Sequence, residues 1–178
     1  MDGILVIEMQ KEFCYENFPL FQGEMVKQMI PVLKEFLNIA RQKDAAVIYC
    51  NMRYQRKDYL FKKFKPHCLP GTPGIEVVDE IKPKEEDYEV TIYAMDAFLD
   101  STLERVLRSL ETKRVFITGQ TTDVGCLLTS MAAFQRGFEV VFVSDCCASR
   151  SWEKHQMALN YLTPFAKILK AEQAIKMM

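Results

Sequence analysis

The chain has 178 residues, of which 49% are apolar and 26% charged, with a formal net charge of −1. A length of this order suits one domain that buries roughly 70% of the surface its unfolded chain would expose. The composition excludes disordered, collagenous and disulfide-scaffold classes, and the near-zero charge gives no basis for nucleic-acid binding.

The chain begins with a short apolar run at 3–7, GILVI, that suits a strand buried on both faces of a parallel sheet. Residues 25–42 then show helical spacing, with Pro31 as the awkward position, since a proline inside a helix removes a hydrogen bond and bends the axis. Runs at 45–50, 89–93, 114–118 and 139–144 read as strands two to five, and 165–169 as a sixth. Helical patterns at 101–111, with Ser101 as its cap, at 127–136 and at 152–162 fall between them. Strands alternating with helices imply right-handed crossovers and a parallel sheet covered on both faces. The run at 53–65, RYQRKDYLFKKFK, reads as a mobile surface loop whose cationic stems cover aromatic rings, with an anion-binding loop as the alternative. The segment at 67–74, HCLPGTPG, reads as a rigid loop.

Six cysteines occur without a CxxC pair and without zinc-site spacing, which predicts a reduced, intracellular protein. The start MDGILVIEMQ has no secretory pattern, and no apolar run approaches the length of a spanning helix. A soluble cytoplasmic protein without membrane or nucleic-acid partners is expected.

In open parallel sheets ligands bind beyond the carboxyl ends of the strands. The candidates are therefore Glu8 and Gln10, residues 51–53 with Arg53, residues 93–96 with Tyr93, residues 119–125, and Asp145. Cys126 begins a helix, where free N–H groups and the dipole favour thiolate. A partner histidine would have to be His67 or His155, and His155 is expected to be structural. Cys146 and Cys147 read as small packing residues.

The segments LVIEMQKEF (5–13), PHCLPGTPGIEVVDEIKP (66–83), VTIYAMDAFLDSTLERVLR (90–108) and the long stretch from VFITGQTTDVGC to KHQMAL (115–159) together resemble the isochorismatase-like hydrolases. That superfamily includes nicotinamidases, N-carbamoylsarcosine amidase and isochorismatase. The resemblance covers nearly the whole chain. It implies a single-domain (1–178), three-layer α/β fold with a six-stranded parallel sheet flanked by helices, and a homo-oligomer, dimeric or tetrameric. It further implies a small-molecule ligand.

In the thiol members of the superfamily an aspartate ends the first strand, a lysine lies six residues before the phenylalanine of an SAF-like motif, and a cysteine lies six residues after the glycine of the fourth loop. Here these positions fall on Glu8, Ile92 and Gly125. Glu8 keeps a carboxylate, Ile92 carries no charge, and Cys126 is one residue late. On a helix one residue is a rotation of roughly 100°, so Cys126 is expected in the core. At the divalent-metal positions Met52 and Tyr54 replace aspartate and histidine, leaving His67 alone, so no metal or other cofactor is expected. The resemblance also implies a cis peptide between Gln120 and Thr121, and an oxyanion hole from the amides of Thr121 and Gly125.

Isochorismatase itself resembles this chain in having glycine at the nucleophile position. Its chemistry protonates an enol-ether carbon, so one carboxylic acid of raised pKa suffices, and Glu8 is the candidate general acid/base. Gln10, Phe13, Arg53, Tyr93, Gln120, Thr121 and Thr122 are the candidate substrate-binding residues. The reading is a hydrolase of a small non-peptide substrate, by carboxylate and not thiol chemistry. The alternative is a catalytically silent relative that binds a small ligand or serves as an oligomer subunit. A pocket closed by Ile92, Tyr93, Phe13 and Arg53 would favour the silent form; an open one lined by Glu8 and loop amides would favour the enzyme.

Overall fold

The computed structural model describes residues 1–54 and 62–178. The first apolar run forms β1 (Asp2–Ile7). It is followed by the short helix α1 (Lys11–Cys14), the long helix α2 (Glu24–Gln42), β2 (Ala46–Met52), β3 (Tyr88–Ile92) and α3 (Leu103–Ser109). Next come β4 (Arg114–Gln120), a π-helical turn at Thr122–Cys126, and α4 (Leu127–Gln135). The chain closes with β5 (Glu139–Ala148), α5 (Trp152–Leu162), β6 (Lys167–Leu169) and α6 (Ala171–Ile175). Among the described residues no helix is long and apolar enough to cross a membrane.

All six strands are parallel and stand in the order β3-β2-β1-β4-β5-β6. Ile4, Leu5, Val6 and Ile7 have no exposed surface, as a central strand covered on both faces requires. α2 turns Val26, Met29, Ile30, Leu33, Phe36, Leu37 and Ala40 inward, so its core face follows the helical period read from the sequence. It runs through Pro31 without a break, and Pro31 lies on the exposed side. The N-cap of α3 is Thr102 and not Ser101; Ser101, one residue earlier, accepts from the Leu103 amide at 3.1 Å while donating to the Ala97 carbonyl at 2.6 Å.

Several boundaries differ from the sequence reading: β2 and β4 each end two residues later than read, at Met52 and Gln120, and α3 is two residues shorter at each end. β5 continues to Ala148, because an irregularity after Ile117 lets the chain pair again, Gly119 with Cys147 and Gln120 with Ala148. β6 starts at Lys167, later than the apolar run suggested. The surface-loop reading of 53–65 falls largely on residues 55–61, outside the described residues.

Strand order reverses direction between β1 and β4, the place where such sheets open a crevice at their carboxyl ends. Ile7 is in register with Cys50 on one side and Gly119 on the other, so the three strands end level. Gly119 has φ of +108°, and a Cβ there would lie 2.1 Å from the Ile7 carbonyl oxygen. Only glycine allows the two strand ends to approach so closely.

Candidate functional site

β1 ends by turning sharply. Glu8 takes a φ of 51°, a left-handed conformation that costs a side-chain-bearing residue on the order of 1 kcal/mol, while its amide still donates to the Cys50 carbonyl at 3.0 Å. Its own carbonyl accepts from Gln120 Nε2 at 2.8 Å, which ties the end of β1 to the end of β4. The side chain reaches a cavity of about 390 Å³. Glu8 Oε1 is sealed from solvent and has no hydrogen-bond partner, and burial raises the carboxyl pKa to about 8. At pH 7 this carboxyl is mainly protonated.

Opposite stands the loop after β4. The Gln120–Thr121 peptide is cis, as the resemblance implied. The Thr121 carbonyl accepts from the amides of Val124 and Cys126, both at 3.1 Å, which winds the π turn. Gly125 faces Glu8: a Cβ built on it would lie 3.6 Å from Glu8 Oε1 and 3.0 Å from the Gln120 carbonyl oxygen. Thr122 turns the other way, its hydroxyl 2.8 Å from His155 Nδ1, with both residues buried. His155 is thus a structural partner behind the site, and burial lowers its pKa. Asp123 borders the cavity and its Oδ1 accepts from the Ser149 hydroxyl.

Cys126 is fully buried among core residues and does not border the cavity. Cys146 and Cys147 are buried too, and burial raises both thiols well above the usual range.

The remaining candidates divide. Phe13 and Thr121 border the cavity with Glu8 and Gly125. Gln10 does not: its amide bonds to Met52 N and O and to Ile75 O, at 2.7 to 2.9 Å, so it is spent joining the first loop to β2. Gln120 is likewise buried behind the site, donating to Glu8 O and to Cys14 Sγ. Thr122 is used by His155. Ile92 has no exposed surface and belongs to the core, and Tyr93 and Arg53 do not border the cavity either. Met95 is the residue of that segment that does. Asp145, beyond the sequence-stated end of β5, instead accepts from the Ala171 amide at 2.7 Å and fixes the start of α6.

His67 is buried between rings, edge-on to Tyr54 at 4.0 Å and to Phe13 at 5.5 Å, with Nδ1 2.6 Å from the Lys65 carbonyl. Burial lowers its pKa, so it is neutral at pH 7. No group of three His, Cys, Asp or Glu side chains among the described residues is arranged to hold a metal ion.

Sequence reasoning missed Leu20, Gln22, Ser149, Arg150 and Lys154, all on the cavity wall, where Phe64 and Lys65 of the run read as a surface loop also stand. Ser149 and Arg150 were recoverable: they directly follow β5 once its end is placed at Ala148. Leu20 and Gln22 come from an irregular stretch that carries no periodic signal.

Residues 2–173 match the isochorismatase domain family. The chain is 26% identical over 180 residues to the uncharacterized isochorismatase family protein YaaI of Bacillus subtilis, a match spanning 98% of this chain and 96% of that one. With the isochorismatase of Bacillus subtilis it shares 35% identity over 96 residues, 54% of this chain and 31% of the relative. Among solved structures, an isochorismatase-like hydrolase from Alkaliphilus metalliredigens aligns with a TM-score of 0.95 at 27% identity, over 99% of this chain and 98% of that one. With residues 2–173 matched to the family and the fold shared across nearly the whole chain, this chain belongs to the isochorismatase family.

Proposed function

We propose that the protein hydrolyses a small enol ether, with Glu8 as the proton donor. The observation that carries this reading is a neutral, partnerless carboxyl beside a position without a side chain. Gly125, which has no side chain, stands beside the acid, the point where its Cβ would begin lying 3.6 Å from Glu8 Oε1, and both residues border the cavity in which a reacting carbon would sit. A cavity of about 390 Å³ lies within the range of small-molecule sites.

The chemistry follows from the acid. Glu8 transfers its proton to the terminal carbon of a C=C–O unit; the π pair forms the new C–H bond and leaves an oxocarbenium ion. The Glu8 carboxylate, desolvated and close, stabilises that cation. Water adds to the cationic carbon and returns a proton to Glu8, and the hemiketal releases an alcohol and a ketone. One enol ether and one water become one alcohol and one ketone, without a covalent enzyme intermediate.

Thiol amidase chemistry finds no support, since position 125 is glycine and Cys126 is buried in the core. A second reading, a silent relative that only binds a ligand, is favoured by one observation: Ile92, at the lysine position, is fully buried and offers no cation to the site. A panel of 2-alkoxyacrylates and small amides, assayed with the wild type and Glu8→Gln, separates the two. The enzyme reading expects enol-ether turnover that Glu8→Gln abolishes. Equal background rates across the panel would leave only the silent reading.

A further inference from the structure

Among the described residues three cations border the cavity, Lys65, Arg150 and Lys154. None forms an ion pair with a described residue, and all three lie beyond ion-pair distance of Glu8. The same wall holds two carboxyls. Asp123 has one oxygen occupied by the Ser149 hydroxyl, and Glu8 is mainly protonated at neutral pH because burial holds its pKa at about 8. The described residues of the wall therefore bring three positive formal charges against one negative. Nothing in the enol-ether reading alone requires that excess.

Arg150 is held in place. Its Nε donates to Gln22 Oε1 at 3.0 Å, and the other end of that amide donates to the Leu20 carbonyl at 2.7 Å. The Gln22 backbone amide in turn donates to the Phe13 carbonyl at 2.8 Å, so the support reaches back to α1. The guanidinium is thus fixed by its Nε, and its two terminal nitrogens make no hydrogen bond or ion pair with a described residue. A fork so held is prepared for bidentate contact with a planar anion, which a lysine cannot reproduce. Lys154 lies in the first turn of α5, four residues on, and adds a second charge to the same wall.

We infer that Arg150, with Lys154 and Lys65, forms an anion subsite on the cavity wall that selects ligands bearing a carboxylate. The orientation rests on the enol-ether reading: the carboxylate is bound at Arg150, and the uncharged, unsaturated end of the ligand lies against Glu8. The cation that Ile92 fails to supply at the end of β3 is thereby provided from the loop after β5 and the first turn of α5. A ligand placed the other way would set its anion beside a carboxyl that has no described cation within ion-pair distance. Gln22 is a positioning residue, acting through Arg150.

Isothermal titration with benzoate and with benzamide, its neutral counterpart of similar shape, tests the subsite without any turnover. In the wild type at low salt benzoate should bind about tenfold tighter than benzamide, and raising the salt should weaken benzoate alone. Arg150→Met should remove most of that preference while leaving benzamide within about twofold; Arg150→Lys should restore only part, because a point charge lacks the fork. Gln22→Ala should weaken benzoate by several-fold, again sparing benzamide. Thermal melts check that each variant is folded, and the salt titration of the wild type stands independently of them. The inference is overturned if benzoate binds no tighter than benzamide, if neither binds, or if Arg150→Met leaves benzoate unchanged. Arg150-dependent benzoate binding without any Glu8-dependent turnover would sink the enol-ether reading and leave the subsite standing. Glu8-dependent turnover indifferent to Arg150 would do the reverse.

Discussion

Glu8 Oε1 lies 3.6 Å from where a Cβ would begin at Gly125, so the acid and the position of the missing nucleophile share one small space. Filling it has a foreseeable cost. In Gly125→Ala the new methyl would also lie 3.0 Å from the Gln120 carbonyl oxygen, a backbone atom of a buried loop that cannot swing aside. The expected result is a loss of about 1 to 2 kcal/mol in chemical denaturation, together with weaker ligand binding. Wild-type stability and affinity in this variant would show that the space is not used.

The raised pKa of Glu8 makes stability depend on pH. Its carboxyl titrates near 4.5 in the unfolded chain and near 8 in the folded one. Below the unfolded value both states hold the proton. Between the two values only the folded state does, so stability falls as pH rises, and the loss is complete above the folded value. Glu8→Gln removes this effect. Urea unfolding at pH 5, 7 and 9 should find the variant increasingly more stable than the wild type, by on the order of 4 kcal/mol at the top of the range. A difference that stays constant with pH would contradict the burial argument.

Cys126 belongs to the core, so Cys126→Ala should cost about 1 to 2 kcal/mol in stability and leave any turnover unchanged. A large loss of rate with stability intact would return the thiol to the mechanism.

The Thr122–His155 pair at 2.8 Å pins the π turn to α5. Thr122→Val keeps the volume but leaves a buried ring nitrogen unpartnered, which should cost about 1 to 3 kcal/mol. Calorimetry reads that loss, and a fall in ligand affinity should accompany it, since Thr121, Val124 and Gly125 on the same turn border the cavity.

The central strands were legible because each is a short apolar run covered on both faces, whereas the edge strand β3 exposes Tyr88, Glu89 and Thr91; Glu8 was legible because it directly follows the first strand. Position was less so. Gln10 and Gln120 follow strands and are polar, yet both are taken up by backbone groups, and sequence spacing does not reveal where a side chain's hydrogen bonds go. Arg150 was hidden by the irregularity in β5, which moves that strand's end four residues along, from 144 to Ala148. Ile92 shows the converse: its departure from the lysine pattern was visible in sequence, whereas its complete burial was not.

The pH dependence of kcat/KM for a 2-alkoxyacrylate, measured in the wild type and in Glu8→Gln, tests the central claim most directly. With Glu8 as a general acid the wild-type profile is level through neutral pH and falls above about 8, where the carboxyl loses its proton, and the glutamine variant has no turnover at any pH. A wild-type rate that rises through pH 8, or a glutamine variant as fast as the wild type, would contradict it.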